Sequence, residues 1–374
     1  MYRAPMTVAT RATRDGAAEG SHVVDRRRRP FLVELLTFLV VLIAYLSLLP
    51  ATAWFAAYRQ LGDSHWWMFV INSVAPYLFL PVPLVLVGGL LTRRWGLVLA
   101  SLVPAAVFVL IFGPLFVPLG YRAPVIQEGA PTLTVLTYNV HALNEDVDAV
   151  ADAILASGAD VVALQELERG MATGLTQRLA ERYPYRDLIP EAGWSGLGVF
   201  STVPVRAEQQ RMGGTGRRNP QVVTLELPWG DTTFVNVHNL SIPRTLPDWP
   251  SEITASLRQR QRVADAILTF SRQRSAPLIV VGDFNTTERS TAYETVSLAL
   301  ADSWREVGFG FGHTFPGGPR SPTPFGVSVP PWLLRIDYVF HSSEMVAASA
   351  DIGPWDGGSD HRPVLVTLAW HEQP

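Results

Sequence analysis

Asn139, Glu166, His238, Asp283 and Asn285 follow apolar runs in "TLTVLTYN", "VVALQE", "FVNVH" and "LIVVGDFN". Asp337 lies inside "RIDYVF", and Asp360 and His361 directly precede "RPVLVTLAW". A carboxylate or imidazole beside a buried strand is costly unless it is paired, hydrogen-bonded or metal-bound. A single strand-end aspartate is ordinarily a turn former or a helix cap. Recurrence at strand after strand is different, because ends that meet at one edge of a sheet stack form a shared pocket. Oxygen donors in a chain with no cysteine favour a hard cation, Mg²⁺ or Mn²⁺. Two histidines beside carboxylates suit proton transfer and phosphate hydrogen bonding near neutral pH. A divalent cation with such acid/base groups fits hydrolysis of a phosphate ester.

"TYNVHA", "LQE", "VNVHNL", "GDFN", "RIDYVF" and "SDHRPV" occur in that order across residues 132–370. Together they resemble the endonuclease/exonuclease/phosphatase superfamily, with its DNase I-like fold. The resemblance implies a four-layer α/β sandwich, two mixed β-sheets face to face with helices outside. It implies Glu166 as the principal Mg²⁺ ligand, with Asn139 and Asp360 as further direct or water-mediated ligands. Asp283 and Asn285 resemble the pair that orients or deprotonates the attacking water. His238 resembles the phosphate-contacting or acid/base histidine. His361 resembles the second histidine on the scissile phosphate, its tautomer held by Asp337. The implied mechanism is in-line attack of water on phosphorus, with the identity of the general base left open. The stretch "EAGWSGLGVFSTVPV" departs from the pattern of some nuclease branches, which keep an acid near the catalytic histidine. Trp194, Ser195 and Gly196 stand in that neighbourhood, and Glu191 is the nearest acid. The catalytic tyrosine of other branches has no clear counterpart. His141 reads as a surface-loop histidine, and His313 in "GHTFP" as either a pocket-rim or a turn residue.

Eight strands are expected to carry these groups: "TLTVLTYNV", "DVVALQE", "LGVFS", "VVTLEL", "TTFVNVHNL", "APLIVVGDFN", "RIDYVF" and "RPVLVTLAW". Val147, Val150, Ile154 and Leu155 share one face of a helix that Gly158 stops. A second helix is expected over 171–182. A third, over 252–274, has Ile253, Leu257, Ala264, Ile267 and Leu268 inward. The hydrolase-like unit occupies residues 123–374, and about 240 residues suffice for one sizeable core.

The first third differs in character. Residues 1–30 are polar, end in "RRRRP" and read as a disordered cytoplasmic tail. Uncharged runs at 35–58, 65–92 and 95–121 each hold about 20 strongly apolar residues, enough to cross a ~30 Å hydrocarbon core. Three transmembrane helices are therefore expected within 31–122, near 31–49, 67–91 and 95–116, with Trp66, Trp67 and Trp95 at the interfaces. Arg26 to Arg29, and Arg93 with Arg94, mark the cytoplasmic side, so three crossings place the hydrolase unit outside the membrane.

Residues 1–122 carry 11 Arg against 5 acids, and residues 123–374 carry 19 Arg against 28 acids. An acidic hydrolase unit argues against a polyanion-binding surface. The substrate is then either a phosphodiester in a lipid or envelope headgroup or extracellular nucleic acid. Arg217, Arg218 and the Arg258, Arg260, Arg262 run are candidates to neutralise phosphates. The Pro- and aromatic-rich stretches 241–252 and 315–334 are candidates to set substrate choice, and no obligate protein partner is evident. The contrasting reading is a membrane receptor or scaffold that keeps the fold without the chemistry. Retention of Glu166, His238, Asp283 and His361 weighs against it.

Overall fold

The computed structural model describes residues 31–117, 126–214, 219–241, 248–274, 276–317 and 330–370. The polar tail, Arg217 and Arg218, and Phe325 lie outside them, as do half of stretch 241–252 and most of stretch 315–334. The chain divides into two compact units, Met1–Ile43 and Ala44–Pro374. The first contains, among described residues, the beginning of α1 (Phe31–Leu61). The second holds the rest of the chain.

Two six-stranded sheets form the region that follows the apolar helices. Numbered along the chain, the first contains β1 (Thr132–Asn139), β2 (Val161–Gln165), β3 (Tyr185–Ile189), β4 (Leu197–Ser201), β11 (Met345–Ile352) and β12 (Val364–Trp370). The second contains β5 (Val205–Glu208), β6 (Gln221–Leu227), β7 (Gly230–His238), β8 (Leu278–Asp283), β9 (Ala301–Asp302) and β10 (Asp337–His341). Their orders are β11-β12-β1-β2-β4-β3 and β5-β6-β7-β8-β10-β9. Each has one parallel pair at its centre, β1/β2 and β7/β8, flanked on both sides by antiparallel pairs. The two sheets thus repeat one pairing scheme. β1 packs across on β8, and β2 on β7. The four central strands end at one edge, and the antiparallel β10 and β12 begin there.

Helices cover the outer faces. α5 (Val147–Ser157) starts at Asp146, whose carboxylate accepts from Ala149 N, and ends at Gly158, φ 66°. Loss of such an N-cap costs about 1 kcal/mol. α5 and α6 (Arg169–Arg178) bury Val150, Ile154, Met171 and Leu175 against Leu136, Tyr138, Val162 and Leu164. Truncating a side chain as buried as Ile154 to alanine costs about 2–5 kcal/mol. On the other sheet, α7 (Trp249–Gln273) and α8 (Thr291–Ser297) cover Val235, Val237, Val280 and Phe340. Ile253, Ser256, Arg260, Val263 and Ile267 are the buried stripe of α7. Leu257 and Leu268 are only half-buried, which corrects the expected inward face by part of a turn.

The expectation of three transmembrane helices is not met. Among the described residues, α1 is the one helix both long and apolar enough to cross a membrane, or one of two if a bent pair counts as a single span. That pair is α2 (Trp66–Ser73) followed by residues Ala75–Leu91, bent by 66°. Residues Ala75–Phe79 form a 3₁₀ turn and Pro81–Leu91 form α3. Prolines 76, 81 and 83 explain the break, since each removes a helical N–H donor. α4 (Trp95–Ile111) has 17 residues, and at about 1.5 Å per residue it falls short of a ~30 Å core.

Candidate catalytic centre

Asn139 closes β1, Glu166 follows β2, and His238 and Asp283 end β7 and β8. Asp337 opens β10 directly opposite Asp283 in the antiparallel register. Asp360 and His361 lie on the approach to β12, which pairs with β1. The topology therefore delivers all of these residues, together with Asn285, to one edge of the stack. Every one except Asn285 is buried.

The side chains interlock. Asn139 Nδ2 donates to Glu166 Oε1 (3.2 Å) and to Asp283 Oδ2 (3.0 Å). Asn285 Nδ2 donates to Asp283 Oδ2 (2.8 Å), and Asn285 N donates to Asp283 Oδ1 (2.8 Å). His238 Nε2 lies 3.7 Å from both Glu166 Oε1 and Asp283 Oδ2. His361 Nε2 lies 3.8 Å from Asp283 Oδ2, while its Nδ1 meets Asp337 Oδ2 at 2.9 Å. Ala142 N donates to Glu166 Oε2 (2.9 Å). Asp360 lies 4.0 Å from His141 Nε2, and its charge acts on both Glu166 and His361.

Three of the five non-glycine residues with positive φ among the described residues sit here: His141 (62°), Glu166 (58°) and Asn285 (52°). Backbone strain of this kind persists only where surroundings over-determine it, and it clusters at functional sites. Gly282 supplies a different requirement. At φ +132° it approaches β7 so closely that a Cβ would lie 2.0 Å from Val237 O.

Burial raises the Asp283 carboxyl to about 7, with Asp337 adding to the shift and His361 opposing it. Burial likewise lifts Glu166, against a hydrogen bond from Ala142. For His361, burial works against the charged ring, but Asp337 and Asp283 overcome it and hold the ring near 10. The Asp283 carboxyl is thus held well above the ordinary carboxylate range, beside an imidazole held toward its charged form.

Carboxylates lifted by burial indicate a cluster short of positive charge, and the donors are oxygen and imidazole. That set fits a hard divalent cation. Asp283, Asp337 and His361 have ligating atoms within 4.8 Å of one another. A cation among those three would have to displace the 2.9 Å contact between Asp337 and His361. On the Glu166 side a cation would compete only with hydrogen bonds, from Asn139 Nδ2 and Ala142 N to the two carboxylate oxygens.

Two further residues belong to the centre. His141 is buried, not on a surface loop, and its Nδ1 accepts from Leu143 N (3.2 Å), which leaves Nε2 facing Asp360. Trp194 stands edge-on to it at 5.5 Å. The sequence signal was its place two residues after Asn139. Ser359 Oγ donates to Asn139 O (2.6 Å) and accepts from His361 N (3.0 Å), tying β1 to the His361 loop. Nothing in its residue type announced that.

His313 lies outside the cluster. It stacks on Phe311 (5.2 Å), and burial lowers its pKa to about 4. It lines a cleft with Asn72, Phe112, Glu288 and Arg335. That cleft is a seam between the apolar helices and the two-sheet region, not the carboxylate cluster. Arg260 is buried and donates to Leu240 O, so it is no surface phosphate ligand, whereas Arg258 and Arg262 are exposed.

Residues 136–361 match the model of the Endonuclease/Exonuclease/phosphatase family. No curated protein sequence matches. Solved structures with a similar fold include an endonuclease/exonuclease/phosphatase from Beutenbergia cavernae DSM 12333. It is 24% identical, with 65% of this chain and 72% of that one covered and a TM-score of 0.48. Sphingomyelinase C from Streptomyces griseocarneus is 21% identical over 63% of this chain and 99% of its own, with a TM-score of 0.47. D. rerio TDP2 complexed with a single-strand DNA product is 17% identical over 63% and 98%, with a TM-score of 0.50.

Proposed function

The chain belongs to the endonuclease/exonuclease/phosphatase family, and from that premise we propose that it is a membrane-anchored, metal-dependent phosphodiester hydrolase. The observation that carries this reading is Asp283 Oδ2, which lies 3.7 Å from His238 Nε2 and 3.8 Å from His361 Nε2. Glu166, with Asn139 and Asp360, would hold Mg²⁺ or Mn²⁺, which when bound stabilises charge gained at the phosphoryl oxygens and activates water.

The chain's own groups supply the rest. Asp283 accepts the proton of the attacking water, and Asn139 and Asn285 fix its orientation through Oδ2. Asp337 accepts from His361 Nδ1, so that Nε2 of the protonated ring donates to a phosphoryl oxygen. His238, whose Nε2 lies 3.7 Å from the same Asp283 oxygen, is the second phosphate contact.

The domain's place is outside the cytoplasmic membrane. α1 supplies one crossing. The α3–α4 hairpin starts beside Tyr77, which bonds to Leu333, and ends beside Phe116, which packs on Phe309 and Phe311. Both ends meet the same hydrolase region, so the hairpin adds no net crossing. A reporter fused after the C-terminus is expected to be active only outside, and cytoplasmic activity would reverse the assignment.

The activity test uses the full chain in detergent with bis(p-nitrophenyl) phosphate and Mg²⁺ or Mn²⁺. Turnover is expected, with His361→Ala reducing it at least 100-fold. Absence of turnover on any phosphoester with any divalent cation sinks the reading. Phospholipid vesicles and single-stranded DNA, offered side by side, separate the two substrate classes.

A further inference from the structure

An anchor needs only a linker, yet the segment from Asp63 to Tyr77 grips the hydrolase region at three places. The first is the loop after His238. Phe69 of α2 lies 4.9 Å from the Arg260 guanidinium, and Arg260 Nε and Nη2 donate to Leu240 O (3.0 and 2.8 Å). Leu240 is two residues beyond His238. Burial of Arg260 lowers its pKa to about 10, with Asp283 and Asp63 opposing the shift, so it remains a cation at neutral pH.

The second is the loop after Asp283 and Asn285. Asn72 is 2% exposed, and its amide is fully committed. Its Nδ2 donates to Arg289 O (3.2 Å) and Gly62 O (2.9 Å), and its Oδ1 accepts from Trp54 Nε1 (2.9 Å). Two residues further on, Thr291 N and Oγ1 donate to the Asp63 carboxylate.

The third is the loop before Asp337. Tyr77 donates to Leu333 O (2.7 Å). Leu334 and Phe315 exchange backbone hydrogen bonds, and the Phe315 ring lies 4.9 Å from the His361 ring. Gly317 N donates to Asp360 O (2.8 Å), and Arg362 N to Thr314 O (2.9 Å). The contact made by Tyr77 therefore continues, through two adjacent backbone segments, to both Asp360 and His361.

A buried asparagine in an apolar helix is expensive unless its donors and acceptors are satisfied. Here two of its three partners lie within the helical segments, and one is the backbone of a catalytic loop. We infer that α2 and the 3₁₀ turn after it position the catalytic loops, so that the packing of the apolar helices sets the turnover of the hydrolase. Phe69, Asn72 and Tyr77 are positioning residues, because none touches the carboxylate–histidine cluster. The bent, proline-broken form of this pair then has a use: it lays a short helix against the hydrolase region where a straight span would not reach.

This inference rests on the proposed hydrolase activity for its rate consequence, and on geometry alone for its structural one. The test uses the full chain in detergent with Tyr77→Phe, Asn72→Ala and, as a control, Thr92→Val, whose hydroxyl bonds to Gly88 O of its own helix. Amide hydrogen exchange is followed over residues 284–290, 314–317 and 360–362. The steady-state rate on bis(p-nitrophenyl) phosphate and its pH profile are measured in parallel. Tyr77→Phe is expected to lower kcat about 3- to 10-fold and Asn72→Ala at least 10-fold. KM is expected to stay within about twofold, and exchange over those segments to rise. Thr92→Val is expected to match the parent in both. Unchanged exchange in both variants overturns the clamp, whatever the rates. Raised exchange with parental kcat overturns its catalytic consequence. A parent chain without turnover sinks the hydrolase reading, while the exchange result still decides the clamp.

Discussion

Replacing Asp337 by asparagine tests the proton arrangement at the centre. The Asp337–His361 contact is 2.9 Å between side chains 0% and 5% exposed, so water cannot substitute for the lost charge. A buried hydrogen bond to a charged group is worth about 1.5–3 kcal/mol, or about 10- to 150-fold in rate if it is fully used in the transition state. Burial lowers the His361 pKa, but Asp337 and then Asp283 more than offset it and hold the ring near 10. Without the Asp337 charge the His361 pKa falls, so the proton that Nε2 donates is lost at lower pH than in the parent. Asp337→Asn should therefore lose about 50-fold in kcat/KM at pH 7. The alkaline limb of the kcat/KM profile should move to lower pH, while the acid limb, where Asp283 protonates, remains. The assay is kcat/KM on bis(p-nitrophenyl) phosphate from pH 5 to 9 at saturating Mg²⁺. A variant with the parental rate at pH 7 and an unchanged profile refutes the role given to His361.

Glu166→Gln removes the carboxylate assigned to the cation. Mg²⁺ or Mn²⁺ affinity by calorimetry should fall at least 10-fold, and chelator-treated parent should regain activity on adding either ion; equal affinity in the variant places the ion elsewhere. Gly282→Ala puts a Cβ 2.0 Å from Val237 O in a left-handed backbone, so it should destabilise the hydrolase region by about 3 kcal/mol or more, read by urea unfolding. Glu288 is lowered from 4.5 to about 2: burial raises it, but Arg335, Arg305 and Arg289 more than offset that. Its contribution of about 3 kcal/mol is present above pH 4.5 and lost as pH falls toward 2. Urea midpoints should drop across that window in the parent and less steeply in Glu288→Gln.

Which strands could be read from the sequence follows from where they lie. The eight expected strands all form, and the four not foreseen are β3, β5, β9 and β11. These are the two outer strands of each sheet. A central strand has neighbours on both sides and both faces covered, so it is written as a continuous apolar run such as "LIVVG". An edge strand such as β3, "YRDLI", has only half-buried and exposed positions and carries little pattern. The candidate site was legible for the same reason: its groups interrupt or bound the central runs, where a polar residue stands out.

His141, Ser359 and Arg260 were not legible in this way, because their roles depend on contacts across the fold. His141 faces Asp360, more than 200 residues later, and Ser359 bonds back to Asn139. Arg260 sat in an arginine run that resembled a solvated face, yet it is the one arginine of that run on the buried stripe of α7. The membrane helices were misread for a related reason. Hydropathy reports apolar length, and it cannot distinguish a span from a helix that buries the same residues against protein. Phe69, 2% exposed, and Asn72 belong to a run apolar enough for a bilayer. The run breaks at its prolines, and the freed segment packs on the hydrolase. A polar residue within an apolar run, with proline four residues beyond, was the available sign that this stretch is committed to protein.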